Sequence, residues 1–238
     1  MGIGKSLKKV IEKNAKKKEI DTLAVLATVT NYPCLISTKI AEKLEATTGT
    51  VRWHLKKLVN EHLVVAERIG GKVLFYTEGF LDNDDVEKIA FLQNPEIHEI
   101  ISRIARHGGI SKRELLAFIP EDKHSKFYTY ENFLTKSVHL GLIRILKDMK
   151  INYYYLSNSF IQLIKNYSLR EQKSAKAFIN KMNQVLPRFS QNARCEIIVK
   201  DFEYCVLISH KNNTLAGEYI LHTNPLWQYR QFIPLEQF

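Results

Sequence analysis

Two rhythms of apolar residues alternate along the chain: a three-to-four-residue spacing that predicts helices, and short β-prone runs that predict strands. Glu19 to Thr30 is rich in apolar residues and reads as a first helix, which Asn31-Tyr32-Pro33 breaks; Cys34, Leu35 and Ile36 then suit a short strand. Ser37 is placed to cap a helix over Thr38 to Leu44, Glu45 and Ala46 to make a turn, and Thr47 to cap a longer helix reaching about His62. At about 100° per residue, Val51, Leu55, Leu58 and Val59 fall on one side of that longer helix, and Gly49, Trp53, Lys56, Lys57 and Asn60 on the other. Arg52 lies between the two faces, and Thr48 and Thr50 sit in the first turn. Two β-prone runs follow, Leu63 to Ile69 and Lys72 to Thr77, around a Gly70-Gly71 pair that permits a tight hairpin whose tip Arg68 and Lys72 flank.

The same order then recurs. Phe80 closes the first segment, and Leu81 to Leu92, with four acids against one lysine, suits a connecting helix or hinge. Asn94-Pro95 marks a new helix start, with asparagine as cap and proline in the first position. Ile97, Ile100, Ile101 and Ile104 form a helical stripe that Gly108-Gly109 stops, and Ser111 opens a short helix through Phe118, which Pro120 ends. A helix from about His124 to Leu140 and strands over Arg144–Lys147 and Asn152–Leu156 complete this second copy. Beyond it, Ile161 to Leu186 predicts a long helix broken by Pro187, and three further runs predict a small antiparallel sheet: Cys195 to Val199, Tyr204 to Ile208 and Leu215 to Leu221. Leu226, Trp227, Tyr229 and Phe232 are large side chains that must pack at home or on a partner.

Composition narrows the function classes. With 238 residues and 45% hydrophobic content the chain can build two or three small cores. Its net charge of +10 favours phosphate-rich or acidic partners. Residues 1–18 hold seven lysines and one acid, with Ile3, Leu7, Val10 and Ile11 at helical spacing, a pattern of a basic amphipathic helix or arm. Three roles compete for it: contact with a nucleic-acid backbone, a membrane surface, or a solubilising helix whose stripe packs on the next domain. Packing combined with backbone contact ranks first. No run is long enough for a membrane span and no signal-peptide core is present, so a cytoplasmic, nucleoid-associated protein without membrane attachment is expected. Cys34, Cys195 and Cys205 are odd in number and lack metal spacing, which predicts buried free thiols. The eight histidines stand singly, and no nucleophile elbow, dinucleotide fingerprint or acid pair occurs. No catalytic residue, cofactor or metal site is expected, and the chain is not read as an enzyme.

The residues Ile40-Ala41-Glu42-Lys43-Leu44, Thr50 to Leu58, His62-Leu63-Val64 and Gly70-Gly71-Lys72 resemble the ArsR/MarR-like winged helix-turn-helix transcriptional regulators in order and spacing, over about a quarter of the chain. The two-copy layout is similar to archaeal regulators with paired helix-turn-helix domains. The resemblance implies a recognition helix in the major groove of double-stranded DNA and a wing on the adjacent backbone. Thr48, Thr50, Arg52 and Trp53 are then expected at base edges, and Lys56, Lys57, Arg68 and Lys72 on phosphates. Trp53 has a second reading, as core against the neighbouring helix. In the second copy Lys123, Lys126, Lys136, Arg144, Lys147 and Lys150 are candidates for phosphate contact, although its third helix is more aromatic and lacks the Thr-Val-Arg-Trp pattern.

The expected fold is therefore mainly α with small β (α+β): a basic arm over 1–18, a winged helix over 19–80, an acidic connector over 81–92, a second winged helix over 93–160, and a helix with a small sheet over 161–238 for dimerisation or sensing. The helix from Ile161 to Leu186 either pairs with its twin in a homodimer or caps the second wing. The leading functional reading is a sequence-specific transcriptional regulator; a tandem winged-helix replication initiator and a protein-interaction scaffold are the alternatives. The sequence does not reveal an effector for the sensing role.

Overall fold

The computed structural model describes residues 20–117, 127–190, 192–211 and 216–233. It is a mixed α+β fold with three small antiparallel sheets. The basic stretch 1–18, Lys123 and Lys126 lie outside the described residues. Residue contacts divide the chain into two units, one formed by the chain up to Leu81 together with Ala175–His222, the other by Asp82–Ser174 and the residues from Thr223 onward. The stretch 161–238, expected to be one module, is thus shared between the two.

In the first unit, helix α1 (Thr22–Asn31) starts at Asp21, whose Oδ1 accepts the Ala24 backbone N–H at 2.7 Å. Helix α2 (Ser37–Lys43) and helix α3 (Thr48–Asn60) follow, and strands β1 (Val64–Ile69) and β2 (Lys72–Thr77) form a hairpin. Leu35 adds a single antiparallel bridge to β2 at Phe75, all that forms of the short strand expected there. Thr47 caps α3 as expected, its Oγ1 accepting the Thr50 backbone N–H at 3.0 Å. Ser37 does not cap α2: it is the first helical residue, and the capping position belongs to Ile36, which has no side-chain acceptor.

The rest of this unit comes from the far end of the chain. Helix α8 (Asn158–Phe189) contributes its second half, and strands β6 (Arg194–Lys200), β7 (Glu203–Lys211) and β8 (Ala216–His222) form a sheet in that order. Val25, Leu26, Ile40, Leu55 and Leu58 share one core with Phe178, Met182, Val206, Ile208 and Leu221. Asn31, at the end of α1, fastens that helix to β8: its Nδ2 donates to the Ile220 carbonyl at 2.8 Å, and its Oδ1 accepts the His222 backbone N–H at 2.9 Å. Pro187 does not break α8, which runs two residues further. Proline there forgoes the bond to the carbonyl of Asn183 and crowds that carbonyl, a cost confined to an exposed side near the end of the helix.

The second unit repeats the element order. A 3₁₀ turn (Asn83–Asp85) and helix α4 (Val86–Leu92) lead into helix α5 (Pro95–His107), strand β3 (Ile110–Ser111), helix α6 (Lys112–Ala117), helix α7 (Phe127–His139) and strands β4 (Ile143–Asp148) and β5 (Ile151–Leu156). The expected signals hold here: Asn94 caps α5 ahead of Pro95, and Gly108 ends it in the left-handed region. Ser111 and Glu114 make a reciprocal capping box, Ser111 Oγ accepting the Glu114 N–H at 3.2 Å and Glu114 Oε2 accepting the Ser111 N–H at 2.9 Å. The sheet order β3-β5-β4 mirrors the first unit, where Leu35 pairs with β2 and β2 with β1. The acidic stretch 81–92 is no bare linker, since Val86, Ile89 and Leu92 are buried. Short helix α9 (Trp227–Arg230) places Tyr229 against His98 and Phe160, so the aromatic tail packs at home.

Candidate nucleic-acid interface

Helix α3 is held from behind. Val51, Leu55 and Leu58 enter the core, and His54, buried beside them, places Nδ1 2.9 Å from Thr22 Oγ1 at the start of α1. By motif alone His54 is one of eight scattered histidines. Its position three residues after Val51 and four before Leu58 is the signal that puts it on the buried stripe. Burial lowers the His54 pKa from 6.5, an effect that outweighs the opposing pull of the Asp21 carboxylate. The unfolded chain therefore binds more protons than the folded one below about pH 6.5, and stability falls as pH drops through that point toward the lowered folded value. His54→Gln is expected to flatten this acid-side slope in a pH series of thermal melts; an unchanged slope would remove His54 as its source.

The opposite face of α3 looks outward. Gly49, Thr50, Arg52, Lys56 and Asn60 are exposed and Thr48 is half-buried, with no acidic residue between Thr48 and Asn60. Trp53 is 62% exposed, which rules out the core reading; its ring makes a T-shaped contact with that of His54, at 4.8 Å between centroids. Arg52 Nε donates to Ser37 Oγ at 3.3 Å, so the serine expected to cap α2 instead steadies the arginine. Thr50 Oγ1 lies 2.8 Å from Thr47 Oγ1, at the capped N-terminus. Lys57 is set apart from the others: its Nζ points to the Arg188 carbonyl at 3.5 Å and lies 4.7 Å from the centre of the Phe189 ring. It fastens α3 to the end of α8, beside the ion pair of Arg188 with Glu61 at 2.6 Å.

Arg68 and Lys72 are both exposed near the tip of the β1–β2 hairpin. Gly70 and Gly71 form its two-residue turn with φ of 56° and 78°, a conformation that L side chains adopt only under strain. The register pairs Arg68 with Val73 and Ile69 with Lys72, so the two cations stand on opposite faces of the hairpin. One hairpin face thus presents a single cation to whatever lies beside it.

The second unit is chemically different at the matching positions. Lys136 of α7 pairs with Glu87 at 3.0 Å. Arg144, Lys147 and Lys150 are exposed on the β4–β5 hairpin, but Ile145, Leu146, Met149 and Ile151 are exposed there too, Met149 at 91%. On α7, Glu131 and Asn132 stand where α3 carries Arg52 and Trp53, and Tyr128 is exposed at the position of Gly49.

All three cysteines are free thiols, with Cys34 and Cys205 buried and Cys195 half-buried. Among the described residues, no helix is long and apolar enough to cross a membrane. No family model matches the chain, and no curated protein matches it.

Proposed function

We propose that the chain is a DNA-binding transcriptional regulator built on two tandem winged helices, the first of which reads duplex DNA with α3. The observation that carries this reading is the outward face of α3. Thr48, Arg52, Trp53 and Lys56 project from a helix whose other side is fixed in a core, and no carboxylate interrupts them. Such a face suits a polyanion and offers the arginine fork for two acceptors of one guanine. The element order in each unit, with a two-stranded hairpin after the third helix, supports the winged-helix assignment. Thr48, Thr50, Arg52 and Trp53 are assigned to base edges and Lys56, Arg68 and Lys72 to phosphates. Lys57, tied to α8, is assigned a structural part.

The apolar tip of the second hairpin favours protein contact over DNA contact for the second unit. The apolar stripe of α8 is buried inside the chain, at Phe160, Ile164, Tyr167, Ala175, Phe178 and Met182. A homodimer on paired half-sites therefore uses a different surface. Light scattering on the full chain is expected to show about twice the monomer mass; a monomer that binds DNA one-to-one removes the dimer from the proposal.

The deciding experiment selects preferred duplexes from a random pool and then measures variants on the best of them. Arg52→Ala is expected to weaken that duplex by about 1–3 kcal/mol and relax preference at one base pair, whereas Lys72→Ala weakens all sequences alike. Trp53→Ala is expected to lose affinity without losing melting temperature, because the ring is outside the core. If Arg52→Ala folds normally and leaves affinity and preference intact, α3 is not the reader.

A further inference from the structure

We propose that Glu203, Cys205 and His222 form a binding site for a divalent, thiophilic metal ion of the zinc type. Glu203 and Cys205 are two apart on β7 and so share a sheet face, and the β7–β8 register sets His222 directly opposite Cys205. Three donors of different chemistry converge: His222 Nδ1 lies 3.1 Å from Glu203 Oε2 and 3.6 Å from Cys205 Sγ, and all three ligand atoms fall within 4.8 Å of one another.

Both the carboxylate and the sulfur face the same imidazole nitrogen. A proton on Nδ1 can be donated well to one of them, whereas a cation at the centre satisfies all three lone pairs at once. Tetrahedral zinc, with bonds of about 2.0–2.3 Å, sets neighbouring donors about 3.3–3.6 Å apart; the His222–Cys205 distance falls in that range and the His222–Glu203 distance is slightly shorter. A thiolate and a carboxylate supply two negative charges for a 2+ ion, and sulfur with imidazole selects against magnesium and calcium. Cys205 and Glu203 are buried and His222 nearly so, which keeps the donors in place.

The site is braced from two sides. Glu203 directly follows the turn at Asp201 and Phe202, both held at positive φ (50° and 63°), and the His222 backbone N–H is bound to Asn31. With three protein ligands, the fourth position is left to water or another small donor. Occupancy would couple to the stability of the unit that carries α3, because only the folded sheet assembles the donors.

No short ligand motif marks this site in the sequence. Ligand motifs are recognised by short spacings within one segment, whereas here antiparallel pairing brings His222 to Cys205 from 17 residues away.

The test is a titration of the full chain, stripped with a chelator, by cobalt(II) and by zinc. One equivalent is expected to bind, cobalt giving a thiolate-to-metal charge-transfer absorption that zinc displaces, and zinc raising the melting temperature. Cys205→Ser is expected to abolish the charge-transfer band, while Cys34→Ser and Cys195→Ser keep it. Glu203→Gln retains an acceptor for His222 and is expected to weaken zinc by more than about 100-fold, beyond the 10- to 100-fold typical of a merely supporting group. Absence of the band in the wild-type chain, or its survival in Cys205→Ser, overturns the proposal. These wild-type and cysteine readouts do not depend on DNA binding, and the Glu203→Gln measurement stands if Cys205→Ser fails to fold.

Discussion

Phe178→Ala is expected to destabilise the unit that carries α3 by about 3–5 kcal/mol, although residue 178 is more than a hundred positions from that helix in the chain. The Phe178 side chain is 3% exposed, and its ring centre lies 5.0 Å from that of Phe80. It belongs to the same buried cluster as Leu55 and Leu58 of α3. Truncating it removes the aromatic contact and leaves a cavity that α1, α8 and the sheet cannot fully close. Native-state hydrogen exchange should report the loss at the α3 and β7 amides together, since one core holds both. Lys176→Ala, on the exposed side of the same turn, should stay within about 0.5 kcal/mol of wild type. A cost under about 1 kcal/mol for Phe178→Ala would mean that the second half of α8 is dispensable to the α3 unit.

Local signals carried the individual elements. Thr47, Asn94 and Pro95 marked helix starts, Gly70-Gly71 and Gly108-Gly109 marked stops and turns, and the structure has each in that role. Such signals act over a few residues, which is why they survive without knowledge of the tertiary fold. Partnership between distant segments has no comparable local trace. The apolar stripe of α8 is a single continuous pattern, yet its residues from Ala175 onward serve one core and those before it another. Periodicity reports that a face is buried and is silent about what buries it. The outward face of α3 was legible for the same reason that its partner is not: exposure follows from the wheel, whereas the turning of Lys57 to Arg188 depends on where α8 ends. Ser37 is a case of competition between roles, its hydroxyl engaged by Arg52 when the helix starts one residue early.

Arg230→Leu is expected to destabilise the second unit by about 3–5 kcal/mol, because it strands a buried carboxylate. Glu171 is 1% exposed, and Arg230 Nη1 donates to both of its oxygens at 3.1 Å. Asn224 Nδ2 donates to Oε1 at 3.0 Å, so the carboxylate is met by a cation and an amide. Both partners come from the last described segment, which this acid fastens to α8; Asn224 Oδ1 then accepts the Leu226 N–H at 2.8 Å and orders the approach to α9. The double variant Glu171→Leu with Arg230→Leu should recover part of the loss. It removes the stranded charge along with its partner, and a buried pair exchanged for apolar side chains is often close to neutral. Urea unfolding of the wild type, the two single variants and the double variant gives the coupling directly. A double variant no more stable than Arg230→Leu alone would show that Arg230 acts through packing of its stem against the unit, and that neutralising Glu171 is not its main contribution.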